Sequence, residues 1–267
     1  MSAKHRSFLT IGQTKPGAFI ALKPAVVSGN GMARFFERRM AGRDLDGAAL
    51  LDAVETRVDG QRQVTVFFAA GTDVSELQMP TGAEPLTQTS VGGAPCATFQ
   101  WADKDEVKFV YKGAPYTVAP AEAEQQMFEG KNCLAAVRNG ETADTVAAWF
   151  TYHVQTQAVE AVVIVDRATP GSDPGFAAAL SRLTAKLDCD LLVLSSDLPL
   201  GKLDTPAEAH PFCVPEAPGK DRMVVPDPSP WDAPLGAMSL YEILRARFLS
   251  SARAVANLDV HDLLPVD

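Results

Sequence analysis

The chain has 267 residues, 46% hydrophobic and 21% charged, with a formal net charge of −9. That length buries a full core without disulfide or metal staples, and the acidic balance argues against a nucleic-acid partner. The four cysteines (Cys96, Cys133, Cys189 and Cys213) are too scattered for a disulfide framework or a zinc knuckle, MSAKHRSF lacks the apolar core of a signal peptide, and no apolar run reaches 18 residues. A cytoplasmic protein without a transmembrane segment is expected.

Residues 1–128 read as a smaller β-rich accessory domain. Phe8–Ile11, Ala18–Leu22, Val64–Ala70, Thr98–Trp101, Val107–Tyr111 and Tyr116–Ala119 are short strand-like runs punctuated by Gly, Pro and Asp, the pattern of an antiparallel sandwich or barrel. Within them, Asp44–Val58 has helical spacing, with Leu45, Ala49, Leu50 and Val54 on one side.

Residues 129–267 read as an α/β domain. Cys133–Val137 is an apolar run ending at Arg138-Asn139-Gly140; Thr142–Thr156 is a helix with Val146, Trp149, Phe150 and His153 on one face. Ala161–Val165 is a β-branched run ending on Asp166. A helix carrying Phe176, Leu180, Leu183 and Leu187 follows, capped by Ser172 or Asp173. Leu191–Leu194 is a third strand, ending at Ser195-Ser196-Asp197. Residues 198–234 are Pro-rich, with one candidate strand at Met223–Val225. Leu235–Arg253 reads as a helix and Ala254–Leu258 as a fourth strand, ending at Asp259-Val260-His261-Asp262. This alternation predicts a mostly parallel sheet with helices on both faces, and in such sheets the ligand crevice lies beyond the carboxyl ends of the strands.

The polar residues at those ends are the candidate site. Asp259 and His261 fall on the same side of an extended segment, where a carboxylate and an imidazole could hold a divalent cation, Mn²⁺ or Mg²⁺; the alternative is a solvated strand end. Asp166 could accept hydrogen bonds from a ribose or a base, or simply form the turn. Asn139 and Glu141 could bind a base, and Glu141 could instead cap the following helix. His153, on the apolar stripe, reads as a core histidine. His210 and Cys213 are a weak metal pair, and no P-loop, G-x-G-x-x-G or G-x-S-x-G is present.

Four stretches together resemble nucleotide-sugar glycosyltransferases of the GT-A fold, family 2 group. Val137-Arg138-Asn139-Gly140-Glu141 resembles the family's Arg-Asn-Glu strand end, with Gly140 intruding before the Glu. Trp149-Phe150-Thr151-Tyr152-His153 is similar to its Trp-x-x-Tyr-His helix. Val163–Thr169 with Asp173 is similar to its second-strand signature, with Arg167 in place of a common Asn or Asp. Leu258-Asp259-Val260-His261-Asp262 resembles its metal-binding strand end, with His261 in the second Asp position. The resemblance covers about residues 131–267 and implies a GT-A/Rossmann-like sheet. It further implies a nucleotide-sugar donor such as a UDP-sugar held by Arg138, Asn139, Glu141 and Asp166, and Mn²⁺ or Mg²⁺ held by Asp259 and His261. The sugar would pass to a glycan or other acceptor hydroxyl. In the family the acceptor half and the catalytic base follow the metal motif, so the resemblance implies a donor-binding half that ends soon after that motif and names no catalytic residue. The alternative is a non-catalytic glycan- or protein-binding module on a degenerate form of this fold.

Overall fold

The computed structural model describes residues 34–79, 82–101, 106–214 and 216–265, and the backbone of 8–10. The expected strand at Ala18–Leu22 lies outside the described residues. In chain order the strands open with β1 (Phe8–Thr10), β2 (Phe35–Arg39), β3 (Arg43–Asp44), β4 (Ala49–Val58) and β5 (Gln61–Phe68). Next come β6 (Leu77–Gln78), β7 (Glu84–Val91), β8 (Ala94–Gln100), β9 (Val107–Tyr111), β10 (Ala114–Val118) and β11 (Ala121–Glu122). Then follow β12 (Asn132–Arg138), α1 (Ala143–Thr156), β13 (Ala161–Asp166), α2 (Phe176–Thr184), β14 (Asp190–Ser195), α3 (Ala237–Leu244) and β15 (Ala254–Asn257).

These elements form two compact units, and the units do not meet at residue 128. The first takes its described residues from Met1–Arg39, Gln125–Ser195 and Phe248–Asp267, the second from Met40–Glu124 and Ser196–Arg247. Part of the expected accessory stretch therefore belongs to the α/β unit, because β2 pairs in parallel with β14. The Pro-rich stretch and α3 belong to the β-rich unit.

The first unit is a sheet of order β1-β15-β12-β13-β14-β2, parallel at every pairing. Its central strands are buried on both faces, which is why Ala161–Val165 and Leu191–Leu194 read as unbroken apolar runs. Leu134, Ala136, Val162, Ile164, Leu191 and Val193 share a core with Val146, Trp149 and Phe150 of α1 and Phe176 and Leu180 of α2. Both described α-helices of the unit thus lie on one face. The expected second helical layer differs because α3, the helix of the β14–β15 crossover, sits in the other unit.

Helix α1 starts where the sequence places it: Thr142 caps it, its hydroxyl accepting from Thr145 N–H at 3.2 Å. Helix α2 does not. Its cap position is Gly175, with no side-chain cap bond, and Asp173 is used elsewhere.

In the second unit β11-β4-β5-β8-β7, with β3 beside β4, and the three-stranded β10-β9-β6 enclose one core of Leu50, Val64, Val66, Phe68, Phe99, Phe109 and Tyr111. The expected helix at Asp44–Val58 is largely strand β4. Its partner β5 follows across Asp59-Gly60, both at positive φ, the geometry of a two-residue hairpin turn. Cross-strand pairing along ten residues outweighs a four-residue helical spacing. The expected helix at Leu235–Arg253 is shorter, running as α3 and then as a π-helical turn at Arg245–Leu249. Met223–Val225 forms no strand, and Val224 is exposed.

Candidate functional site

The order β14-β13-β12-β15 is the 3-2-1-4 order of a doubly wound sheet. The chain winds outward from β12 to β14, then returns to lay β15 on the other side of β12. In sheets of this order the ligand crevice lies where the direction reverses, here at the carboxyl ends of β12 and β15. Residues Asn139 and Glu141 leave one side of it and Asp259 and His261 the other.

Arg138 is the last residue of β12 and stands in register with Asp166, the last of β13. Its side chain is 4% exposed, and each guanidinium nitrogen has a partner. Nη1 donates to Asp166 Oδ1 at 3.0 Å, Nη2 to Asp173 Oδ2 at 2.6 Å, and Nε to the Glu141 carbonyl at 2.7 Å. Its Cζ lies 4.0 Å from the centre of the Phe176 ring, a cation–π contact. Asp166 Oδ1 also accepts from Ala168 N–H at 3.0 Å. Arg138 therefore organises the site as an internal counter-charge, and Asp173, expected as a helix cap, is its second partner.

The turn after β12 depends on Gly140, whose φ of +94° an L side chain rarely adopts. This turn brings Glu141 back, so that its Oε2 accepts from Asn139 N–H at 2.5 Å. Because Thr142 is the cap of α1, Glu141 is not, which corrects the capping reading. Its other oxygen, Oε1, lies 3.2 Å from His261 Nε2. That contact crosses the crevice and ties the β12 exit to the β15 exit. Glu141 is largely buried and His261 is 68% exposed; Asn139 is exposed.

Asp259 and His261 lie just past β15, in a turn rather than on the strand itself. Asp259 Oδ1 accepts from His261 N–H at 3.1 Å, and Asp262 Oδ2 accepts from Asp259 N–H at 3.1 Å. Val260 between them is buried in the core, so both side chains face outward as the spacing requires. Among the described residues no three His, Cys, Asp or Glu side chains stand close enough to hold a metal ion. Asp259 and His261 do not form a preformed cage. They offer one carboxylate and one imidazole, fewer ligands than a protein-built metal site supplies.

The remaining candidates take local partners. His210 Nδ1 accepts from Phe212 N–H at 3.0 Å, while the Cys213 thiol faces the Pro206 carbonyl at 3.7 Å. The Ser196 hydroxyl donates to the Leu198 carbonyl. Burial pushes the Cys133 thiol up to about 12, which rules it out as a thiolate nucleophile at neutral pH. His153 is buried as expected, and burial lowers its affinity for protons. What the sequence reading missed is the use of Asp173 and Phe176 to hold Arg138, and the grip of α1 on the segment after β15. The three-and-four spacing of Trp149, Tyr152 and His153 carried that second signal.

Comparison with protein-family profiles, with curated proteins and with solved structures finds no match to this chain.

Proposed function

We propose that the parallel-sheet unit binds a nucleoside diphosphate sugar at the carboxyl ends of β12, β13 and β15, as the donor site of a glycosyltransferase-like protein. The observation that carries the reading is the switch point itself: Asn139, Glu141, Asp259 and His261 follow the strands between which the winding reverses, where such a sheet takes a ligand, with Asp166 beside them. Carboxylates there accept hydrogen bonds from ribose hydroxyls or a base N–H. The cluster is acidic, and Arg138, one of two buried arginines at the β12 and β13 exits with Arg167, is committed to Asp166 and Asp173. A diphosphate would therefore enter with Mn²⁺ or Mg²⁺ as its counter-charge, held by Asp259 and His261. The acceptor would be a glycan or another hydroxyl compound, and no base is assigned.

Calorimetric titration of a UDP-sugar with Mn²⁺ tests the reading. We expect metal-dependent binding that Asp259→Ala weakens by about ten-fold or more, and a rise in melting temperature at saturating ligand. Folded protein that binds no sugar nucleotide, or binds it equally well after Asp259→Ala, sinks the assignment.

The saturation of Arg138 by its own neighbours favours a second reading, a non-catalytic binding module for a glycan or a protein. Binding of a free glycan with no response to nucleotide would select it.

A further inference from the structure

Three polar side chains of α1 and that of its C-cap residue, Gln157, all bond the backbone of residues 262–265. Trp149 Nε1–H donates to the Asp262 carbonyl at 2.9 Å, and the Tyr152 hydroxyl donates to the Leu264 carbonyl at 2.6 Å. Gln157 Nε2 donates to the Pro265 carbonyl at 3.0 Å and lies 3.4 Å from that of Leu264. His153 completes the set. Its Nδ1 faces the Trp149 carbonyl at 2.9 Å and its Nε2 faces Leu264 N–H at 3.3 Å. A carbonyl can only accept and an amide N–H can only donate, so these partners fix the neutral tautomer, protonated on Nδ1. A core helix has no packing need for such a run of bonds to irregular backbone. The segment it grips begins one residue after His261.

We propose that α1 is the positioning element of this site, that Trp149, Tyr152, His153 and Gln157 hold residues 262–265 and thereby place the Asp259–His261 turn, and that protonation of His153 releases the hold. A proton on Nε2 replaces an acceptor by a donor facing Leu264 N–H, so that bond breaks and two donors confront each other. Among the described residues no carboxylate acts on the ring to stabilise the cation. The aromatic rings of Trp149 and Tyr152 lie 4.8 and 5.1 Å from it, and the Tyr152 phenol is the ionisable group in contact with it. Burial and the Trp149 carbonyl, not a charged side chain, set its proton affinity. The folded value is depressed, so the hold is complete above the ordinary histidine value of about 6.5 and is lost as pH falls through the lower folded value.

The consequence for ligand binding rests on the proposed donor site; the hold itself does not. The test is therefore made on ligand-free protein by ¹⁵N NMR between about pH 7.5 and 5, spanning the histidine range. The Leu264 amide and the Trp149 indole signals should move with the midpoint of the His153 ring. His153→Gln should abolish that movement, and at fixed neutral pH Tyr152→Phe should raise exchange of the Leu264 amide roughly five-fold. A Leu264 amide that stays fixed across the range, or an exchange rate unchanged by Tyr152→Phe, overturns the proposal. Tyr152→Phe leaves the imidazole intact and decides the matter if His153→Gln does not fold. A working hold without sugar-nucleotide binding would remove the donor-site reading alone.

Discussion

The two ends of the parallel sheet use the same side chains for different ends. At the amino end, Asp190 starts β14 with a side chain 5% exposed and accepts from Lys131 Nζ and Arg34 Nη2, each at 2.6 Å. Arg34 backbone N–H adds a third bond at 3.1 Å. Beside it Arg253 spans Asn132 and Glu160, while Asn132 N–H donates to Glu160 Oε2 at 2.9 Å. These groups staple the starts of β12, β13, β14 and β15 and the residue before β2. At the carboxyl end Arg138 satisfies two carboxylates and Glu141 is largely buried, while Asp259, His261 and Asp262 sit on an exposed turn. A closed network resists unfolding; an open one with exposed acceptors is what a polar ligand can use. Charge and residue type do not separate the two ends. The turns on which the carboxyl-end groups sit do, with Asp259 and His261 turned outward where Asp190 is enclosed.

Asp190→Ala should produce the largest effect on stability and would break the comparison if it did not. It strands Arg34 and Lys131, but both retain access to water, so the expected loss is about 2–3 kcal/mol by urea unfolding. The same residue predicts a pH dependence. Burial alone would raise its carboxyl, but the hydrogen bonds from Arg34 and Lys131 prevail and hold it below the usual carboxylate range. Its contribution is therefore present above about pH 4 and is lost as pH falls below that through the lower folded value. Asp190→Asn should flatten that part of the acid arm. At the other end Arg138→Met leaves Asp166 half-enclosed without its partner, with an expected cost of about 2 kcal/mol.

Smaller changes sharpen the contrast. Thr142→Ala removes the cap that frees Glu141 for the crevice and should cost about 1 kcal/mol. Asp173→Asn, at a 43% exposed carboxylate, should cost under about 1 kcal/mol in the same assay. His261→Ala should leave stability within about 0.5 kcal/mol while weakening metal-dependent sugar-nucleotide binding. A destabilisation as large as that of Asp190→Ala would make the carboxyl end another staple rather than a site.

The sequence by itself determined the central βαβαβ rhythm. Unbroken apolar runs mark strands buried on both faces, the three-and-four spacing of Val146, Trp149, Phe150 and His153 marks the inner face of α1, and a polar residue ends each strand. Those are local signals, set by the period of side-chain burial along a few residues. The tertiary structure alone decided that Arg38 and its neighbours in β2 join β14 across more than 150 residues of sequence, that Asp44–Val58 pairs as strand instead of coiling, and that α3 leaves the α/β unit. It also decided that Glu141 meets His261. Such pairings are long-range choices between partners of equal local merit, settled by which strand edge and which buried charge remain to be satisfied.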